Sequence, residues 1–302
     1  MTLSIGWEAE EKLDWIALTK AIEAGHLLPH AEIGDTLMYR GKDTVLSRAA
    51  WIDGLGIAVK TATIFPGNAA YNLPSIGGGV SLYEDKTGQL DAILDFRLVT
   101  KWKTAGDSLL SAIKLAPPKV ETILIIGAGT VARNVIEAYS AYFPNAYYAI
   151  WSRRPEAAEA LASDRVKPVR DLPDAVANAH IIVSCTMATD PVLNGDWLSP
   201  GTHIDLIGAY RPDMREADDE VMRRAEIFVD SRATTMGHIG EIEIPLQSGV
   251  ITPDDLRADF YDMASGAFVR SGPDAITIAK NGGGAHLDLM TCAYIRDAVT
   301  AE

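Results

Sequence analysis

Apolar and polar positions give the chain two textures. Residues 36–39, 44–52, 56–65, 79–83 and 90–95 form short runs rich in β-branched and aromatic residues. Gly41-Lys42-Asp43, Asp53-Gly54 and Asp85-Lys86-Thr87-Gly88 punctuate them, which predicts a mainly antiparallel sheet. Ahead of it, Leu13, Ile16, Ala17, Ala21 and Ile22 recur at helical spacing, with Gly25 as a stop. Residues 100–115 read as a further helix, ended by Pro117-Pro118, the predicted domain boundary. Beyond that pair the texture changes. Strands at 123–126, 147–151, 181–185, 203–207 and 227–230 alternate with helices at 131–143, 157–162, 172–177 and 219–224. This alternation predicts an α/β fold with a doubly wound, Rossmann-type parallel sheet, here beside an α+β domain with antiparallel strands. A glycine run at 281–284 precedes a last helix.

Chemistry enters at the turn Gly127-Ala128-Gly129-Thr130-Val131-Ala132, between a buried strand and a helix. Gly127 permits a sharp turn, Gly129 lets backbone approach a pyrophosphate, and Ala132 lets the helix pack close to the strand. The helix start then offers free N–H groups and a positive dipole end to phosphates. Thr186 and Met187 follow the strand at 181–185 and are expected to line the same cofactor cleft. Backbone around Gly283 is flexible enough to approach a nicotinamide. After the second strand of this half, Ser152, Arg153 and Arg154 stand where an acidic residue would bind a ribose 2′-hydroxyl. A hydroxyl followed by two guanidiniums suits a 2′-phosphate, so NADP is expected, with NAD possible.

Composition narrows the partners. The chain of 302 residues carries 27 basic and 41 acidic side chains, a net charge of −14, which argues against nucleic acid. No apolar run reaches the length of a bilayer span, and the first residues lack the pattern of a signal peptide. Two cysteines offer no disulfide framework, so a cytoplasmic setting is expected. The six histidines show no metal-ligand spacing, and no metal is expected.

Several further segments carry a family likeness. They are Val59-Lys60, Thr63-Ile64-Phe65-Pro66-Gly67-Asn68, Leu73-Pro74-Ser75, Asp85-Lys86-Thr87-Gly88, Asp95 and Thr100-Lys101-Trp102-Lys103-Thr104-Ala105. Pro191-Val192-Leu193, Gly201-Thr202-His203-Ile204-Asp205 with Gly208, and Val229-Asp230-Ser231 complete the set. With the glycine turn they make the chain resemble, over nearly its full length, the ornithine cyclodeaminase/mu-crystallin family. The resemblance implies a substrate-binding and dimerisation domain over residues 1–117, joined by a C-terminal helix at about 284–302. Residues 118–283 would be the NAD(P)-binding domain, with the active site in the cleft between the two. It also implies a homodimer and a small imino- or amino-acid substrate.

The resemblance places Lys60 at the active-site lysine, where an ammonium binds a carboxylate or gives a proton to an imine. Lys103 and Thr104 fall where relatives carry an arginine that binds the substrate carboxylate and a threonine that touches the cofactor phosphate. Lysine keeps the charge and loses the fork. The usual carboxylate-binding arginine is missing near Asp35, so Arg48 on the neighbouring strand is expected to take its place. Tyr210 stands where cyclodeaminases and alanine dehydrogenases have an aspartate, and a phenol is a poor base near neutral pH. Ornithine cyclisation is therefore disfavoured. The expected activity is NADPH-dependent reduction of a cyclic α-imino acid, the chemistry of the family's ketimine reductases. Reductive amination of the alanine dehydrogenase type, acyclic imine reduction, ornithine cyclodeamination and non-catalytic binding remain as alternatives.

Overall fold

A computed structural model describes residues 2–301. The chain divides into two compact units, one of residues up to Lys103 plus those from Gly284 onward, the other Thr104–Gly283.

The first unit is a six-stranded sheet with helices. Its strands are β1 (Leu3–Ile5), β2 (Glu32–Arg40), β3 (Asp43–Ile52), β4 (Gly56–Ile64), β5 (Ile76–Tyr83) and β6 (Leu90–Asp95). The order is β1-β6-β5-β4-β3-β2, antiparallel throughout except for the β1–β6 pair. The helix α1 (Trp15–Gly25) begins at Asp14, whose side chain accepts from Ala17 N, and it ends at the expected glycine. The next helix, α2 (Phe96–Leu115), starts four residues before the expected position. Asp95 explains the early start, because its Oδ1 accepts from Arg97 N and Leu98 N at 2.8 and 2.9 Å. Asp85, from another family segment, is also structural: it ties the β3–β4 turn through Trp51 Nε1 (2.9 Å) and Gly54 N (3.0 Å).

The second unit opens with β7 (Thr122–Ile126), α3 (Thr130–Tyr142), β8 (Tyr147–Trp151), α4 (Pro155–Glu159) and β9 (Val166–Pro168). It continues through α5 (Leu172–Ala177), β10 (Ile181–Ser184), β11 (His203–Leu206), α6 (Asp219–Arg224) and β12 (Ala225–Val229). The short helices α7 (Arg232–Thr235) and α8 (Gly240–Gln247) lead to β13 (Leu256–Ala258) and β14 (Ile276–Lys280). All eight strands are parallel, in the order β13-β12-β14-β11-β10-β7-β8-β9. From β7 the chain winds outward to β8 and β9, then returns to β10 on the other side of β7. The carboxyl ends of β7 and β10 therefore form a topological switch point, where such sheets bind ligands.

The last helix, α9 (Ala285–Thr300), belongs to the first unit and packs across β3 and β4 and against α1. Its residues from Ala285 to Ala293 are all buried, as expected of a helix enclosed between layers. Among the described residues, no helix is long and apolar enough to cross a membrane.

Candidate functional site

In the first unit, Arg48 and Lys60 are direct cross-strand partners on β3 and β4, so both point to one face of the sheet. Asp35 is the partner of Arg48 on β2 and points the same way. Arg48 meets Asp35 through both Nη2 (2.8 Å) and Nε (3.3 Å). Lys60 is only 7% exposed, and its Nζ lies 2.9 Å from Oδ1 of Asp288 on α9 and 4.9 Å from the centre of the Phe96 ring. Nothing in the sequence marks Asp288 as its partner, because 228 residues separate the two. Only the packing of α9 onto β4 joins them.

Charge around this face is unevenly distributed. Burial pushes the Asp288 carboxyl up, but Lys60, Lys103 and Arg48 outweigh that and hold it below the ordinary carboxylate range. The same field acts in reverse on His286. Burial, with His26, Lys103, Arg48 and His30 nearby, keeps its imidazole neutral well below the usual histidine range. A cationic His286 is disfavoured there. Arg48, Lys60 and Lys103 together with Asp288 thus make one charged region within the first unit.

In the second unit, Gly127 has φ +117°, and a Cβ there would stand 3.0 Å from the carbonyl oxygen of Cys185. A side chain fits neither the conformation nor the space. At Gly129, the N-terminal cap of α3, a Cβ would meet nothing within 4 Å, and no side chain caps the helix. Ala128, Gly129, Thr130 and Val131 therefore lead into a helix start whose first N–H groups have no intrahelical acceptor. Ala132 is fully buried against the sheet. This is a cradle that fits a pyrophosphate. Ser152 is half-buried after β8 and accepts from Arg154 N (3.3 Å), while Arg153 and Arg154 are exposed.

A buried carboxylate missed by the sequence analysis organises the other loops at this end of the sheet. Glu216 accepts from Ser184 Oγ (2.6 Å), Thr186 N and Oγ1 (both 2.7 Å), Gly208 N (2.6 Å) and Ala209 N (3.3 Å). It ties the loop after β10, with Thr186 and the exposed Met187, to the loop after β11. Glu216 is held in turn by Glu241, which accepts from the backbone of Glu216 (2.7 Å) and Ala217 (3.0 Å). Burial, with the charge of Glu216 beside it, pushes Glu241 up to about 7. Asp230 does similar work after β12, accepting from Gly283 N (2.5 Å) and Thr235 Oγ1 (3.1 Å). The Gly283 backbone is therefore fixed. Tyr210 is 56% exposed with Arg211 stacked on its ring, and Asp213 is bound to Arg211 at 2.8 Å. Thr104 lies in α2, half-buried.

A surface cavity of about 660 Å³ in this unit, lined by Pro200, Arg224, Pro273 and Asp274 among others, sits at the amino ends of β12 and β14. That is the end opposite the glycine turn, and it holds none of the residues singled out above.

The chain is 48% identical over 301 residues to a Δ1-pyrroline-2-carboxylate reductase of Paracoccus denitrificans, covering 97% of this chain and 95% of that one. Its fold superposes with a TM-score of 0.89 on Thermococcus litoralis Δ1-pyrroline-2-carboxylate reductase in complex with NADH and L-proline, at 25% identity and covering 99% and 97% of the two chains. An archaeal alanine dehydrogenase dimer with bound NAD superposes equally well, with a TM-score of 0.89, 25% identity and 99% and 96% coverage. The family model for ornithine cyclodeaminase/mu-crystallin proteins matches residues 50–302, and the chain belongs to that family.

Proposed function

We propose that this chain reduces a cyclic α-imino acid, 1-pyrroline-2-carboxylate or 1-piperideine-2-carboxylate, to the L-amino acid with NADPH. One observation carries the reading: Arg48 and Lys60 stand side by side on one face of the first unit's sheet, an anion clamp next to a proton donor. Arg48 and Lys103 hold the substrate carboxylate. Lys60 gives its proton to the imine nitrogen as that atom gains electron density. A bound nicotinamide supplies hydride to the α-carbon. Imine reduction consumes no water, so it needs no aspartate at position 210. The 48% identical Paracoccus reductase supports this substrate class. The cradle at Gly127 to Val131 and the fixed loops at Thr186 and Gly283 suit a dinucleotide, and Arg153 and Arg154 suit a 2′-phosphate.

The protein acts as a homodimer. On the sheet face opposite Lys60, Met38, Trp51 and Ile93 are 55%, 48% and 49% exposed. Val45 lies beside Met38 on that same face, and beyond a row of Thr36, Ser47 and Thr61 lie Ile57 and Val59 with Trp51 and Ile93; exposed apolar groups of this kind suit an interaction surface. A second copy is the occupant, supported by the dimeric alanine dehydrogenase of the same fold.

The test is oxidation of NADPH and NADH with each cyclic imine, run beside pyruvate plus ammonia, oxaloacetate plus ammonia, and ornithine with NAD. Preferred turnover of a cyclic imine is expected. Ordinary enzymatic rates with pyruvate and ammonia, with the cyclic imines inert, would replace the reading by reductive amination.

A further inference from the structure

We propose that Asp288 is the positioning residue of the reaction: it keeps Lys60 charged and aimed, and makes its ammonium the proton source. The inference rests on the imine-reductase reading above. A buried ammonium beside an aromatic ring loses its proton readily unless a counter-charge stands against it. Asp288 is that counter-charge, 2.9 Å away and itself 1% exposed. Its Oδ1 takes Lys60, and Oδ2 finds no hydrogen-bond donor among the described residues. Arg48 is bound bidentately by Asp35.

The proton balance is simple. Hydride from the reduced nicotinamide makes the new C–H bond, the C=N π pair becomes a lone pair on nitrogen, and nitrogen takes a proton from Lys60. Lysine is left as the amine and recovers its proton from water, while Asp288 stays ionised and favours the recharged form. The other ionisable groups around the pair are Arg48 on β3 with Asp35 on β2, Lys103 on α2, His26 and His30 after α1, and His286 and Cys292 on α9. Among them, Asp288 alone makes an ion pair with Lys60.

The test uses Asp288→Asn, Asp288→Glu, Lys60→Met and the double variant Lys60→Met/Asp288→Asn, all in the full chain. Asp288→Asn is expected to lower kcat about ten- to a hundredfold and to move the alkaline limb of the pH–rate profile to lower pH, with cofactor binding unchanged. In the Lys60→Met background, Asp288→Asn is expected to cost nothing more, because it acts only through the lysine. Asp288→Glu keeps the charge and should keep the limb in place; if the asparagine variant fails to fold, displacement of the limb in the glutamate variant overturns the proposal. A readout without turnover is NMR of ¹³Cε-labelled lysine, with the Lys60 signal assigned by its loss in Lys60→Met. In Asp288→Asn that signal should show loss of the ammonium at lower pH than in the wild type. Unchanged NMR and pH profiles with additive losses would overturn the proposal. Wild-type inactivity toward every imine, with the NMR difference present, would instead remove the imine-reductase reading and leave the Lys60–Asp288 relationship standing.

Discussion

Arg48 and Lys60 face one another across β3 and β4, and a carboxylate meets each on its other side, Asp35 for the arginine and Asp288 for the lysine. The two cations are thus pre-aimed, and little side-chain freedom is left to lose when substrate arrives. If Arg48 clamps the substrate carboxylate, Arg48→Ala removes a charge-assisted bond of about 1.5–3 kcal/mol, a tenfold to hundredfold rise in KM for the imino acid. Arg48→Lys should recover little of it, because lysine cannot reproduce the fork. Steady-state kinetics with the cyclic imine checks this, and an unchanged KM in Arg48→Ala would move the clamp to Lys103.

Cofactor choice is separable. Arg153 and Arg154 are exposed and are expected to matter only for a ligand carrying a 2′-phosphate. Replacing both with alanine should raise KM for NADPH about tenfold to a hundredfold and leave KM for NADH nearly unchanged. Equal losses with the two cofactors would end the 2′-phosphate assignment.

The glycine turn was more legible in the sequence than the charged face of the first unit, for a physical reason. The glycine turn is local: strand, tight turn and helix start follow one another directly, and their chemistry follows from their order. The Lys60–Asp288 pair depends on a helix at the far end of the chain packing onto a strand near its start. Glu216 was invisible for a similar reason, since its donors come from Ser184, Thr186, Gly208 and Ala209 on two other loops. Among the strands, β14 escaped notice although it lies between β11 and β12. Its residues, Ile-Thr-Ile-Ala-Lys, form a short run that ends in a lysine, which reads as a surface residue. Lys280 is instead fully buried and donates to the carbonyls of Leu206 (2.8 Å) and Asn281 (3.1 Å). The helix α8 carries an internal proline, Pro245, that argues against a helix from sequence.

Tyr210 tests the choice of reaction. Its ring is more than half exposed, and Arg211 lies over it at 5.6 Å. Tyr210→Phe is expected to cost no more than a few-fold in imine reduction, because the phenol transfers no proton in the proposed chemistry. Tyr210→Asp restores the family's usual carboxylate and is expected to bring measurable release of ammonia from alanine or ornithine. Asp213 pairs with Arg211 on the exposed surface, which holds its carboxyl below the ordinary carboxylate range. Rapid ornithine deamination by the wild-type protein would contradict the proposed chemistry.

The Glu216–Glu241 pair makes a prediction about stability that is independent of turnover. Glu241 is raised from 4.5 to about 7 in the folded protein, chiefly by burial and then by the charge of Glu216. Between those two pH values the native state holds a proton that the unfolded chain has released. The group's contribution is therefore complete below about pH 4.5 and is lost as pH rises through about 7. The loss is at most about 3 kcal/mol for a shift of this size. Asp288 acts in the opposite sense and in a lower window, since its depressed carboxyl stabilises the fold above its unfolded value of 3.8 and stops doing so only in stronger acid. The two effects are separable by pH. Urea unfolding of wild type and Glu241→Gln at about pH 5 and about pH 8 checks the point: the wild type should lose stability relative to the variant at the higher pH, by about 1–3 kcal/mol. A stability difference that is the same at both pH values would mean that Glu241 does not titrate in this range. In that case, Glu216 would organise the Thr186 and Gly208 loops beside a second carboxylate ionised at both pH values.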